Sequence, residues 1–198
     1  RALKKDSKIG AIIGKLRKFD FEKNKKMDLI DSAGLLMMKS RRCVDRGQGE
    51  IDSGQYDSAE EVFGVTGAVP MYRREALEDC RVSGEYFDGS FFMYKEDVDI
   101  SWRMRLRGWK CFYEPKALAY HGRGTGVIFR KSASDVARAR ATLSPFQKYY
   151  SYKNERLMRV KNELWPLFAR DFFSILWKEI LMAGWMTLRE PVLWKSLG

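Results

Sequence analysis

Three carboxylates fall within four positions, Glu96, Asp97 and Asp99, and only Lys95 separates them from the apolar run Phe91, Phe92, Met93, Tyr94. Acids this dense are a solvated turn or a site. An aromatic wall can shield a carboxylate from water and tune it as a general base, which is the chemistry this stretch would offer. The only histidine, His121, lies 121 − 97 = 24 residues further on, ahead of the Gly-rich stretch "GRGTGVIFRKS". A lone histidine is more often structural than a ligand, but this one is predicted at a strand end beside a loop.

The elements that must position these groups are only partly decided by pattern. Val98, Ile100, Trp102, Met104 and Leu106 alternate with Asp99, Ser101, Arg103, Arg105 and Arg107, as in a half-buried strand. Acids at the start, arginines at the end and Gly108 just beyond argue instead for a capped helix. Both readings stay open on periodicity alone. Upstream, residues 8–19 read as a strand flanked by Lys, residues 28–38 as a second apolar segment, and residues 41–61 as a long Gly-rich acidic loop. "VFGVTGAVPMYRREALEDC" reads as a strand or turn leading into a helix from Arg74 to Cys80, with small residues that let backbone approach a ligand. "WKCFYEP" reads as a strand stopped by Pro115, and "ALAYH" as a second one. From Ser144 two helices are predicted, the first with Pro145 near its start and the second much more apolar.

Composition bounds the rest. The 198 residues are 45% hydrophobic and 32% charged, enough for a real core and inconsistent with a disordered chain. The formal charge of +11 is uneven: 14 basic against 7 acidic residues over 1–50, 10 against 13 over 51–126, and 13 against 6 over 127–198. Basic ends suit an anionic partner, and an acidic centre suits a metal or a catalytic carboxylate. Cys43, Cys80 and Cys111 are widely spaced and odd in number, which points to neither a zinc site nor a disulfide framework and fits a reducing compartment. Arg1 at the start, with no signal segment before it, is what a truncated or processed end would give. In the second helix the longest run without a charge, Ile180 to Leu188, is short of the ~20 residues that span a bilayer. Aromatics interleaved with Lys and Arg there suit either an interfacial helix or packing on the main domain.

"GVTGAVPMYRREAL" followed by "GEYFDGSFFMYKEDVDISWRMRLRGWKCFYEPKALAYHGRGTG" resembles the C-terminal half of glycosyltransferase family 2 enzymes. The likeness is to the GT-A fold and to the rhamnosyltransferase-like members that build bacterial surface polysaccharides. It runs from about Asp31 to Gly126, and "YYSYKNERL" resembles the basic, aromatic helices that follow such domains. The resemblance implies an α/β, partial GT-A (Rossmann-like) domain over 1–143 with amphipathic C-terminal helices over 144–198. It also favours the helix at Glu96.

Carried over by residue, it implies that Asp97 is the general base of an inverting transfer from a nucleotide-diphosphate sugar to an acceptor hydroxyl. Glu96 is the second catalytic candidate, in a supporting role, and Asp99 is expected to hold neighbours or substrate. Thr66, Gly67 and Ala68 are expected beside the donor sugar or acceptor. His121 matches the family's metal ligand, with Mn²⁺ or Mg²⁺ as the cofactor and imidazole favouring Mn²⁺. Arg123, Thr125 and Arg130 are expected to close over the diphosphate. Trp102 is carried as a substrate-side candidate, although Trp102 and Trp109 read better as core. Family members begin with a nucleotide-binding half bearing Asp-x-Asp. Nothing upstream of Asp31 supplies it, and Asp97-Val98-Asp99 has the spelling but sits in the base position. The chain is therefore expected to be the acceptor-side half. Its partners would be the donor, a saccharide or lipid-linked acceptor and a membrane surface, at the inner face of the plasma membrane in the cytoplasm. The competing reading is a non-enzymatic basic module for anionic lipid or nucleic acid, or a degenerate transferase half. No nucleic-acid-binding motif is present to support the nucleic-acid version.

Overall fold

The computed structural model describes residues 2–122, 138 and 140–197. Arg123, Thr125 and Arg130 lie outside the described residues. After a one-turn α1 (Ala2–Lys5), the chain enters β1 (Ile9–Asp20), followed by β2 (Lys25–Ser32), β3 (Leu35–Met37) and β4 (Cys43–Asp45). Then come β5 (Glu60–Val62), β6 (Met71–Tyr72), α2 (Arg74–Asp79), a 3₁₀ turn at Gly89–Phe91, α3 (Glu96–Leu106) and β7 (Lys110–His121). Two long helices follow, α4 (Pro145–Asn162) and α5 (Trp165–Arg189), and a 3₁₀ segment at Pro191–Leu197 ends the chain.

The mixed sheet has the order β2-β1-β7-β5, with β1 and β7 parallel and the other pairs antiparallel. β6 joins the same edge of β1 as β2, pairing Ala11 and Ile12 while β2 pairs Leu16 to Asp20. β3 and β4 form a separate hairpin. This is an α/β architecture, as the sequence led one to expect.

Ile9, Ala11, Ile13 and Leu16 of β1 are buried. Burial of the isoleucines and of Leu16 contributes ~1.5–3 kcal/mol each. Lys15, also buried, explains the long polar loop. Its ammonium bonds Asp52 at 3.0 Å and also Asp57, while Arg17 reaches Asp52 at 2.6 Å. The acids in that loop neutralise cations that the strand carries inward.

Two local expectations are corrected. Pro115 does not end a strand: β7 runs through it, and Pro115, Lys116 and Ala117 bulge between the pairs Gly14↔Glu114 and Lys15↔Leu118. A Cβ at position 14 would lie 2.1 Å from the Ala117 carbonyl oxygen, so Gly14 is what lets the bulge cross. The segment 28–38 is not one element but the end of β2, a turn through Gly34 (φ +96°) and β3.

Glu96–Leu106 is a helix, and its misleading alternation has a physical cause. α3 is packed on two flanks at once. Val98 and Trp102, four residues apart, enter one cluster with Leu35, Cys43, Phe91 and Met158. Ile100 and Met104, also four apart, enter the other with Ile13, Val65 and Tyr113. Two helical stripes offset by two positions read as a strand. Gly108 follows the last turn at φ +80°, the left-handed conformation of a helix terminator.

α4 begins with a full capping box between Ser144 and Gln147, and Pro145 stands in its first turn. Met158 of α4 belongs to the α3 cluster, and Asn162 donates to Asp99 at 2.7 Å. This helix is built into the domain that holds the acids. Arg41, buried, bridges Glu163 at 2.7 Å and Asp171 at 2.8 Å and so fixes the α4–α5 junction to the β3–β4 hairpin.

Candidate active site

The site grows from the way α3 is entered. Phe92 has φ +58° and ψ −56°, and the Met93 N–H closes on the Phe91 carbonyl at 2.6 Å, the three-residue γ-turn that bulky residues rarely adopt. Tyr94 (φ +66°) and Lys95 (φ +72°) continue in left-handed backbone up to the first residue of α3. Consecutive strain of this kind costs ~1–3 kcal/mol per residue and needs its surroundings to hold it. Asn154 of α4 does so: fully buried, its amide nitrogen donates to the carbonyls of Phe91 at 2.7 Å, Met93 at 2.6 Å and Tyr94 at 2.9 Å.

This turn delivers Glu96 and Asp97 to the helix N-terminus. Asp97 is fixed at both oxygens by backbone: Oδ2 accepts from Gly67 N–H at 2.9 Å, and Oδ1 from Val98 N–H at 2.8 Å. One turn along, the Ser101 hydroxyl accepts from Val65 N–H at 3.1 Å. Residues 97 and 101 share a helix face, and 65 and 67 share one side of an extended segment, so a matched pair of bonds lays the 64–67 segment along α3. Gly64 permits the contact, since a Cβ there would come within 2.6 Å of Ser101.

Thr66, Glu96 and Asp97 line one cleft of about 260 Å³ with Asp45, Tyr94, Lys95 and Ser151 among its other walls. Glu96 is half-buried and its Oε2 has no partner among the described residues. Burial, and then the neighbouring charge of Asp97, pushes its carboxyl above the usual range. Tyr72, whose hydroxyl also lacks a partner among the described residues, is pushed up by burial first and then by the charge of Asp97, so its phenol stays a neutral donor. Cys43 lines the same cleft, but burial raises its thiol to about 12, which makes it no nucleophile at neutral pH.

The remaining candidates are dispersed. Ala68 packs on the sheet core, and Gly67 meets Asp97 only through its backbone. Asp99 is buried with its carboxylate given to Arg103 at 2.8 Å and Asn162 at 2.7 Å, so it bolts α3 to α4 and lines a different cavity from Asp97. Trp102 is buried with its ring edge against Phe63, as core rather than as a sugar platform. His121 ends β7, and its Nδ1 lies 2.9 Å from Oδ2 of Asp31, a fully buried carboxylate on β2. A carboxylate on one ring nitrogen is the arrangement that orients the other toward a metal. Among the described residues no three His, Cys, Asp or Glu side chains converge on a metal position, so His121 stands as a single protein donor.

Sequence reasoning passed over Asn154, Tyr72 and Asp31. Asn154 carried a signal, an intrinsically poor helix former in the middle of an 18-residue helix. The partnership of Asp31 and His121, 90 residues apart, needed the strand order. No family model matches the chain, and no curated protein is significantly similar to it in sequence.

Proposed function

We propose that this chain is the acceptor-side part of an inverting glycosyltransferase that uses a nucleotide-diphosphate sugar, with Asp97 as its general base. The observation that carries the reading is a carboxylate held by two backbone N–H groups at the mouth of a cleft, behind a strained turn braced from α4. Strain in ordered backbone is maintained where position matters. The ordered motifs from Thr66 to His121 support the same reading.

In the reaction, Asp97 takes the proton of the acceptor hydroxyl as that oxygen bonds the anomeric carbon. The bond from this carbon to the nucleotide diphosphate breaks on the opposite face, so the configuration inverts and the diphosphate leaves with the electron pair. Glu96 lines the same cleft beside Asp97 and, when ionised, would attract the cationic character developing at the sugar. A divalent cation, Mn²⁺ or Mg²⁺, when bound would neutralise the leaving diphosphate. His121 would supply one ligand through Nε2, its orientation set by Asp31.

The test is a screen of nucleotide sugars against the native full-length polypeptide in the presence of Mn²⁺, reading release of nucleoside diphosphate with and without saccharide acceptors. Acceptor-stimulated release from at least one donor is expected. Release from none of them would refute the reading.

A further inference from the structure

Beside the Asp97 cleft three aromatic rings meet at the surface. Phe92, on the γ-turn, is 73% exposed, and its ring centre lies 5.3 Å from that of Tyr150 and 6.2 Å from that of Phe146, which is 52% exposed. Phe146 and Tyr150, one turn apart on α4, have ring centres 4.7 Å apart. The cluster is continuous with the cleft: Ser151, next after Tyr150, and Tyr94 and Lys95, close behind Phe92, are among the cleft walls, as is Leu143 just ahead of α4. The rings are held in place. The backbone under Phe92 is braced by the Asn154 contacts, and Lys153 donates to the Ser90 carbonyl at 3.0 Å with its ammonium 5.3 Å from the Tyr150 ring centre. Single exposed apolar side chains are ordinary on a protein surface, but three rings in mutual contact beside a cleft, one of them on strained backbone, mark a binding surface.

We infer that this aromatic shelf binds a sugar ring of the acceptor saccharide, with the ring's C–H face stacked on Phe92, Phe146 and Tyr150 and its hydroxyl rim turned to the cleft that holds Asp97. The inference deepens the transferase reading and rests on it for the role of that sugar as acceptor. Three observations select the occupant. A pyranose is apolar on its C–H faces and polar at its rim, and here aromatic faces adjoin a polar cleft with a carboxylate and the Ser151 side chain in its walls, the mixture typical of small-ligand sites. The exposed area of the three rings is about 300 Å², well below the ~800 Å² per partner of a stable protein interface and suited to a short saccharide. The described cleft lining carries Asp45, Glu96 and Asp97 against Lys95, a balance that disfavours an anionic occupant such as a phospholipid surface. The tryptophans expected as core are not the platform; the phenylalanine of the turn and two residues of α4 are.

Saturation-transfer NMR on the intact protein tests this, with the methyl pyranosides of glucose, galactose, mannose and rhamnose as probes. Saturation from the protein's aromatic protons should reach the C–H protons of one ring face in at least one probe. The double variant Phe92→Ala, Phe146→Ala, at exposed positions, should keep the parent's circular dichroism and lose ~10-fold in apparent affinity, Tyr150→Leu should lose ~5-fold, and Phe92→Trp should bind like the parent. In turnover of the full-length protein the double variant should raise the acceptor KM ~10-fold with the donor KM near that of the parent. The inference is overturned if no probe receives saturation, if the double variant and Tyr150→Leu bind like the parent, or if the donor KM rises in place of the acceptor KM. It is also overturned if the parent sediments as a dimer and the double variant as a monomer, which would assign the rings to a second copy. Binding is read without turnover, so a protein that holds a probe on the shelf yet transfers no sugar would fail the transferase reading and leave the saccharide site standing.

Discussion

Asn154→Ala is the sharpest perturbation the structure offers, because one buried side chain holds a backbone that has no other reason to be where it is. The amide has two hydrogens and serves three carbonyls, so at most two full hydrogen bonds are lost, at ~1 kcal/mol each. The Phe91 carbonyl, part of a buried contact, loses a donor and adds ~1 kcal/mol of desolvation cost. The sum is ~3 kcal/mol, which at a urea m-value of ~3 kcal/mol/M moves the unfolding midpoint down by ~1 M. Asn154→Asp should be worse at neutral pH, since it sets a carboxylate against three carbonyl oxygens. Equilibrium urea unfolding followed by tryptophan fluorescence reads both. A midpoint shift under ~0.2 M for Ala, or an Asp variant as stable as the parent, would refute the claim that Asn154 braces the turn ahead of Asp97.

Two further outcomes follow from the charges. Because burial holds the Glu96 carboxyl above its ordinary value of 4.5, the native state binds its proton more tightly than the unfolded chain does. The associated stability is present at low pH and is lost as pH rises through the folded pKa. Glu96→Gln should therefore melt higher than the parent at pH 7 and converge with it below pH 4.5, as differential scanning calorimetry across pH would show. For the metal, His121→Ala should raise the Mn²⁺ concentration giving half-maximal turnover, and Asp31→Asn should do so by ~10–100-fold through loss of the ring's orientation. An unchanged Mn²⁺ titration in both variants would remove His121 as a ligand.

What the sequence disclosed and withheld follows from the range of the interactions. Short-range chemistry was legible: the acidic start and Gly108 end of α3, the Ser144 and Pro145 opening of α4, and a strand over residues 8–19 that the structure gives as Ile9–Asp20. Pro115 misled because its cost was met by a partner 101 residues away, Gly14, whose missing Cβ makes room for the bulge. The alternation in α3 imitated a strand, although the helix expected there is what forms, because two clusters, one built from the sheet and one from α4 and the β3–β4 hairpin, each claim one stripe of it. Around the site, the cluster at Glu96 and Asp97 could be read from spacing. The contacts that orient it, Gly67 onto Asp97 and Asn154 onto the turn, join segments 30 and about 60 residues apart. Asp99 looked like a third member of the site and is instead the bolt between α3 and α4.

The central claim rests on one carboxylate, and Asp97→Asn keeps one of its two backbone bonds, because the amide oxygen can still accept from Gly67 N–H while the amide nitrogen gives up the bond from Val98 N–H, at ~1 kcal/mol. The decisive measurement is the turnover rate of the full-length Asp97→Asn protein with its nucleotide sugar and acceptor, beside its melting temperature. The account predicts a loss of ~10²–10⁴-fold in rate with a melting temperature lowered by no more than ~4 °C. Turnover within a few-fold of the parent would contradict it and remove Asp97 as the base.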